Sequence, residues 1–404
     1  MRNEKSRFFR LIVLLFNGIW SVPLVFIIRA IRPIVTIKIG TFFSTRIGHF
    51  VADTAQQWAA NKKNPWNIIC LYWLPDNTCN IQWEKMVRRN LFVHSWVYYI
   101  DRWNRLLPGG EKHYLPSTCT GSLDINGFLE NTGDSFSFLS NEENDAKSWL
   151  RSKGWREGNP FVCLMVRDSL YLNQDPLHSN KYDWSYHSYR NSDIHTYSLA
   201  IEWLANNGVW VIRMGKIASE RMLLSHPMVI DYAFDKGKSD LLDIWLFANC
   251  NLCISSGTGP DMISDVYRRP TLFVNFIPVI RLFSWSHSFI YPKHLIWESS
   301  GIYLTLSEHL DHSFVSTEEY RMAGIKIINL LPDEILNAVQ ESWERITGIW
   351  INDKDDTKDK EQFWAKLKTS PEYLELHGFI HPESRLLSSF LRDNKFFYKK
   401  IFFA

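Results

Sequence analysis

The stretch from Asn251 to Phe276 is predicted to form strand, small-residue turn, helix and strand, the repeating unit of a parallel sheet. The apolar run Leu252 to Ile254 precedes Ser255-Ser-Gly-Thr-Gly-Pro260, and a helical pattern follows from Asp261 to Tyr267. Such a turn leaves backbone N–H groups and a helix N-terminus where a phosphate can bind. The spacing matches neither G-x-G-x-x-G with a ribose-binding acid nor G-x-x-x-x-G-K-[ST]. The alternative interpretation is a plain strand-to-helix turn that binds no phosphate.

Apolar strands and amphipathic helices alternate along both halves of the chain, which is typical of parallel sheets covered by helices. A connector rich in Gly, Pro, Ser, Thr and Asn, residues 108–141, separates the halves. The other predicted strands are residues 34–39, 66–74, 91–99, 161–166 and 209–214. We therefore predict the α/β fold class, with two doubly wound, Rossmann-like domains facing a cleft. The predicted divisions are a membrane-associating segment (1–32), an N-terminal acceptor domain (33–140), a C-terminal donor-binding domain (141–348), and a charged linker with an aromatic tail (349–404).

The N-terminal segment, residues 1–32, is basic at both ends and apolar in the middle. The first ten residues contain four basic side chains and a single acidic one, Glu4. The stretch from Leu11 to Ile28 carries no charge. Eighteen uncharged residues are the short end of a membrane span, and Pro23 interrupts them. Basic flanks on both sides favour a helix that lies in, or dips into, the anionic cytoplasmic leaflet. We therefore predict a peripheral or monotopic protein at the cytoplasmic face of the inner membrane. A single span and a buried first helix are the alternatives.

Charge and cysteine content argue against two other classes of protein. The net charge of +2 over 404 residues is small and mixed, so nucleic acid is not an expected partner. Six scattered cysteines fit a reducing compartment, and no Cys and His spacing indicates a zinc site. The sequence carries no indication of oligomeric state.

The motif Arg46-Ile-Gly48-His49 follows the first predicted strand, and Asp53 lies four residues beyond His49. Ligands bind where such strands end. His49 and Asp53 are the candidate catalytic residues, because an imidazole or a carboxylate can accept a proton, and their spacing suits one helix face. Arg46 and Gly48 are the candidate acceptor-binding residues, since Gly48 allows a ligand to approach the backbone closely. A capped turn with a solvated histidine is the alternative.

Basic or small-residue motifs follow three successive predicted strands in the second half. Arg167 ends the first, Arg213-Met-Gly215-Lys216 ends the second, and the Ser255 turn follows the third. These positions meet at one edge of a parallel sheet, where guanidinium groups suit a diphosphate. The alternative for the arginines is that they form ordinary ion pairs. The alternative for Asp193 is helix capping, and for Asp261 it is stabilisation of the helix start. The candidate donor-binding residues are Arg167, Arg190, Asp193, Arg213, Gly215, Lys216, Ser255, Ser256, Gly257, Thr258, Gly259 and Asp261.

Taken together, these motifs resemble a largely uncharacterised family of bacterial glycosyltransferases found with surface-polysaccharide genes. The resemblance covers residues 33–348. The turn after Ser255 is also similar, in outline, to the donor-binding turn of two-domain glycosyltransferases such as the heptose transferases. The resemblance implies a GT-B-like fold, an activated-sugar donor in the C-terminal domain and an acceptor on the N-terminal side. It rests on Arg46-Ile-Gly-His49, His187-Ser-Tyr-Arg-Asn-Ser-Asp193, Arg213-Met-Gly215 and Ser256-Gly-Thr-Gly-Pro-Asp261.

The expected activity is transfer of a sugar from a nucleotide-sugar donor to a lipid-linked or growing glycan in cell-surface polysaccharide synthesis. No cofactor is expected. Metal-dependent transferases hold their ion with Asp-x-Asp, and the only such run, Asp353-Lys-Asp355, lies in the charged linker. Two alternatives are a nucleotide-sugar epimerase or hydrolase on the same fold, and a non-catalytic membrane-anchored scaffold of a polysaccharide assembly complex.

Overall fold

The computed structural model describes residues 2–116, 122–133, 135–175 and 183–398. The chain divides into two compact units. Unit 1 comprises residues 1–122 with 134–137, and unit 2 comprises residues 123–133 with 138–404. Each unit carries an all-parallel main sheet with accompanying helices, so the predicted α/β class is confirmed.

Unit 1 is built on a three-stranded parallel sheet in the order β2-β1-β3. Its first two strands pair from Thr36 opposite Ile68 to Thr41 opposite Trp73. The predicted strand over residues 91–99 is wrong, because a single bridge forms there and a helix begins at Val97. The elements are α1 (Arg2–Ala30), β1 (Thr36–Thr41), α2 (Ile47–Lys62), β2 (Ile68–Trp73), α3 (Ile81–Asn90), α4 (Val97–Leu106) and β3 (Tyr114–Leu115), with a 3-10 turn at Glu111–His113.

Helix α1 packs along α4 through small and aliphatic side chains. Gly18 faces the indole of Trp103, and a Cβ at Gly18 would lie 2.8 Å from that ring. Arg29 ends the contact by donating to the Asn104 side chain and to the carbonyl of Pro108. One face of the N-terminal helix is therefore fixed to unit 1. The side chains that α1 buries, spaced as one helical face, are Gly18, Ser21, Val25 and Ile28.

Unit 2 contains the larger sheet and most of the helices. Its helices are α5 (Phe128–Thr132), α6 (Ser140–Ser152), α7 (Leu170–Gln174), α8 (Ser198–Asn206), α9 (Asp240–Asn249), α10 (Asp261–Val266), α11 (Leu306–Asp311), α12 (Thr317–Met322), α13 (Pro332–Thr347), α14 (Asp356–Leu367), α15 (Tyr373–Leu376) and α16 (Ser388–Asp393). Its strands are β4 (Phe161–Met165), β5 (Trp210–Arg213), β6 (Val229–Ile230), β7 (Leu252–Ser255), β8 (Thr271–Val274), β9 (Ser288–Tyr291), β10 (His294–Trp297), β11 (Ile325–Ile328) and β12 (Arg385–Leu386). Short 3-10 helices span Ser185–Arg190, Ile194–Tyr197, Tyr232–Phe234, Val279–Arg281 and Lys395–Phe397.

The seven-stranded sheet of unit 2 has the order β12-β9-β8-β7-β4-β5-β6, and all of its pairings are parallel. The chain starts near the middle at β4, runs outward through β5 and β6, and then returns to build outward from β7. This reversal makes the gap beyond the carboxyl ends of β4 and β7 a topological switch point, where ligands bind in doubly wound sheets. Buried apolar side chains on these strands, including Val162, Val211 and Leu272, form the core around it.

The C-terminal segment differs from the predicted linker and tail, because it folds onto unit 2. Phe363 and Leu367 in α14 are buried, and Asp356 accepts hydrogen bonds from Trp350 and Arg345. Strand β12 then pairs with β9 at the sheet edge. In the run of Asp and Lys residues, Lys354, Asp355 and Lys358 are exposed, whereas the apolar positions of α14 recur at helical spacing and pack inward.

Candidate functional site

The ends of β4 and β7 are tied together at the switch point of unit 2. Arg167 donates its backbone N–H to the Ser256 hydroxyl at 2.9 Å. Ser256 donates its own N–H to the carbonyl of Met165 at 3.2 Å, and Ser192 donates to the carbonyl of Arg167 at 3.0 Å. Arg167 and Ser256 are therefore brought together, as their positions at strand ends predicted, and the segment that carries Arg190 joins them.

The buried carboxylate of Asp261 stabilises the loop after β7 through hydrogen bonds. This carboxylate accepts from the Ser255 hydroxyl at 2.7 Å and from the Thr258 N–H at 2.6 Å. Gly257 donates its N–H to the Ser255 hydroxyl at 3.1 Å. Burial raises the pKa of Asp261 to about 6, although these hydrogen bonds oppose the shift. The N–H groups of Gly257 and Thr258, which the sequence assigned to a phosphate, are thus used within the loop, and Asp261 shapes it.

Two guanidinium groups lie beside this loop. Arg190 donates to the carbonyl of Gly257. Burial, together with the positive charge of Arg190, lowers the pKa of Arg167 to about 10. The Nε of Arg167 and the hydroxyl of Thr258 are buried, and neither has a hydrogen-bond partner among the described residues. Two like charges and two unused donors at one place form a site that an anion would complete.

Three of the other predicted donor residues, Arg213, Asp193 and Lys216, have partners within the protein. Arg213 is buried, and it donates to the carbonyl of Glu220 at 2.5 Å and to Asp231 at 3.3 Å. Asp193 caps a short helix by accepting from the N–H of His195 at 2.9 Å. Lys216 is half-exposed and lies 4.0 Å from Asp175. Arg213 and Asp193 therefore take the ion-pair and capping roles that the sequence left as alternatives. Gly215 follows β5 with a positive φ, and Gly259 lies in the loop before α10.

Lys293 is a buried cation near the same edge of the sheet that sequence reasoning missed. It follows β9, is 2% exposed and donates to the carbonyl of Asn191 at 2.6 Å. Burial lowers the pKa of Lys293 to about 7. Because Asn191 follows Arg190, Lys293 supports the segment that carries that guanidinium. In the sequence, its position just beyond an apolar strand is the feature that could have indicated this lysine.

In unit 1, a serine connects the two candidate catalytic residues. The Nδ1 atom of His49 lies 2.6 Å from the hydroxyl of Ser122, and that hydroxyl donates to Asp53 at 2.8 Å. Helix α2 begins at Ile47, so His49 and Asp53 lie one turn apart on the same face. Burial raises the pKa of Asp53 to about 7, and burial with the charge of Arg46 lowers the pKa of His49.

The two predicted acceptor-binding residues lie at the start of the same helix. Arg46 is the N-cap residue of α2, with its guanidinium 5.9 Å from the centre of the Phe43 ring. Gly48 lies in the first turn and is partly exposed. Phe43 also packs edge-on against His49, with ring centres 5.5 Å apart. Arg46 and His49 therefore share one aromatic neighbour.

No protein-family model and no curated protein matches this chain. Among solved structures, a glycosyl transferase of family 9 from Veillonella parvula shares 12% identity at a TM-score of 0.42, over 64% of this chain and 86% of that one. The ADP-heptose lps heptosyltransferase II of E. coli shares 11% at 0.40, over 76% and 99%. The S. aureus MnaA-UDP co-structure shares 8% at 0.32, over 85% and 93%. Values this low describe an outline likeness and assign this chain no activity or ligand.

Proposed function

We propose that this protein is a metal-independent glycosyltransferase whose nucleotide-sugar donor binds in unit 2 beside Arg167 and Arg190. One observation carries the proposal. Two guanidinium groups converge at the switch point of a doubly wound sheet, and one of them keeps a buried, unused N–H. A diphosphate offers several charged oxygens to such donors, so it would supply the missing partners.

The arginine pair would stabilise the leaving diphosphate, and the His49–Asp53 pair would activate the acceptor. Arg167 and Arg190 would neutralise negative charge that develops as the bond between sugar and phosphate breaks. The Thr258 hydroxyl, which is buried without a hydrogen-bond partner in the described residues, would add one further donor. His49, with Asp53 behind it, is the base for an inverting displacement by an acceptor hydroxyl. In a retaining reaction, the same pair would position the acceptor.

The acceptor is a lipid-linked or growing glycan of the cell surface, reached at the cytoplasmic face of the inner membrane. Residues Leu11–Ala30 of α1 have a mean hydropathy of 2.5 and are long and apolar enough to cross a membrane. Because one side of α1 is packed on α4, the opposite side is the one available to lipid. Interfacial attachment in the anionic leaflet fits this arrangement better than a free-standing span.

A thermal-shift panel on detergent-purified protein with UDP, GDP, CMP, ADP and dTDP tests the donor site. A ligand that binds only the folded state at about one hundred times its dissociation constant adds roughly 2.7 kcal/mol of stability. We expect one nucleotide to raise Tm and Arg167→Gln to abolish that response. Arg321→Gln, which removes an exposed arginine paired with Glu318, should retain it.

The panel, together with activity assays, separates the transferase from its alternatives. A flat response in well-folded protein would contradict the donor site and favour a scaffold. Release or conversion of the free sugar without acceptor would instead favour a hydrolase or an epimerase. Transfer to membrane-extracted lipid-linked glycan, lost in His49→Gln while the nucleotide response persists, would support the proposed activity.

A further inference from the structure

The connection between His49 and Asp53 passes through a residue in an unusual backbone conformation. Ser122 has a φ of 66°, in the left-handed region that residues other than glycine seldom adopt. Strain of this kind persists where the surrounding structure enforces it, and it clusters at functional sites. The Ser122 hydroxyl lies between the imidazole and the carboxylate at hydrogen-bonding distance from both.

The single hydroxyl proton of Ser122 determines the direction of both hydrogen bonds. When Asp53 is ionised, it can only accept, so Ser122 must donate to it. The Ser122 oxygen then accepts from His49, which places the imidazole proton on Nδ1. His49 makes no other hydrogen bond among the described residues, so the lone pair on Nε2 is left available.

We infer that Ser122 is a positioning residue that fixes His49 as the Nδ1–H tautomer when Asp53 is ionised. This inference rests on the proposed transfer reaction. The acceptor hydroxyl gives its proton to Nε2, and its oxygen bonds to the anomeric carbon. The bond from that carbon to the donor phosphate breaks, and the diphosphate leaves with the electron pair. The imidazolium keeps its Nδ1–H on Ser122, and it later releases the Nε2 proton to solvent.

The ionisation of the neighbouring groups sets the pH range in which this arrangement operates. Within the described parts of the chain, the charged group acting on His49 is Arg46, at the start of the same helix. The polar group acting on Asp53 is Ser122 itself, and burial is the larger influence on that carboxyl. Since the pKa of Asp53 is about 7, the tautomer should be fixed above neutral pH and lost as Asp53 takes up a proton.

Nitrogen NMR of the ¹⁵N-histidine-labelled full chain measures this tautomer without donor or acceptor. His49→Gln assigns the His49 signals by difference. At pH 8 we expect the His49 proton on Nδ1, and a mixture of tautomers in Ser122→Gly. Glycine suits the positive φ, so this variant removes the hydroxyl without adding strain. Loss of the hydroxyl that accepts from the charged imidazole should also lower the pKa of His49.

Either of two results would overturn the role of Ser122: a wild-type proton on Nε2 at pH 8, or an unchanged spectrum in Ser122→Gly. Asp53→Asn provides a second test, because its spectrum should lose the pH dependence of the tautomer near neutrality. In transfer assays, Ser122→Gly should lower kcat and move its pH profile while leaving the donor KM unchanged. A fixed tautomer in an enzyme without transferase activity would refute the proposed function and leave the positioning role standing.

Discussion

Arg167 donates its backbone N–H to the hydroxyl of Ser256 at 2.9 Å, which fixes the end of β4 against the loop after β7. The bond leaves the Arg167 guanidinium beside Arg190 with no carboxylate bonded to it in the described residues. Like charges held together in a partly buried place raise the free energy of the unliganded protein. An anion would relieve that repulsion, so stability and binding should respond oppositely to removal of Arg167.

Arg167→Gln and Arg213→Gln should therefore differ, although both arginines follow strands of the same sheet. Arg167→Gln should leave the free energy of unfolding unchanged or raise it, because it removes a buried charge next to another charge. Arg213→Gln breaks the buried pair with Asp231 and should cost about 3 kcal/mol. Urea unfolding measures both changes. Equal destabilisation by the two substitutions would contradict the assignment of Arg167 as a ligand-binding residue.

The loop after β7 should be unusually sensitive at Gly257. Its φ is +76°, and a Cβ there would lie 2.8 Å from the Phe276 ring. Gly257→Ala should cost about 2–4 kcal/mol and reduce the nucleotide response, because the loop must move away from Phe276. Gly301→Ala is the matched control, since Gly301 has a φ of +68° and open space around it. The control should cost about 1 kcal/mol. Similar losses in both would mean that the close approach to Phe276 has no effect.

Because Lys293 is buried, the free energy of unfolding should rise as the pH increases above neutrality. Its pKa is about 7 when folded and near 10.5 when unfolded, so the unfolded state binds more protons between these values. Stability contributed by this group is lowest below about pH 7 and rises as pH increases toward 10.5. Lys293→Met should stabilise the protein by roughly 2 kcal/mol at pH 6 and flatten the rise. Urea unfolding at pH 6, 8 and 10 measures this, with exposed Lys326→Met as the control. If Lys293→Met and wild type showed the same pH dependence, the lowered pKa of Lys293 would be refuted.

The alternation of strands and helices was sufficient to predict the parallel sheets, because strand and helix periods are local properties of the chain. The positions of Arg167 and the Ser255 turn followed from the same reasoning, since parallel strands align their carboxyl ends. The partner of Arg213 could not be predicted in this way. A guanidinium at a strand end is equally compatible with an anion or with Asp231, which lies on a later strand connection.

Ser122 and the C-terminal segment are two further features that local sequence patterns could not predict. Ser122 lies 73 residues from His49 in sequence, and no spacing rule connects a lone serine to a histidine that distant. The Asp and Lys run after Asn352 resembles a solvated linker in composition, yet α14 buries Phe363 and Leu367 on its other side. Tertiary packing decided both cases, and local sequence patterns do not reveal that packing.

The exposed face of α1 should determine membrane attachment. Phe16 and Ile19 are 71% and 72% exposed on the side away from α4. Phe16→Glu with Ile19→Glu should reduce binding to anionic phospholipid vesicles by about 100-fold, because each side chain would otherwise bury its apolar surface in lipid. The fold and the nucleotide response should persist, since neither side chain contributes to the core. Leu223→Glu with Met322→Glu replaces two apolar residues of unit 2 that are at least as exposed, and it should leave vesicle binding intact. Co-sedimentation measures all three proteins. Undiminished binding by the α1 variant would show that this face does not hold the protein at the membrane.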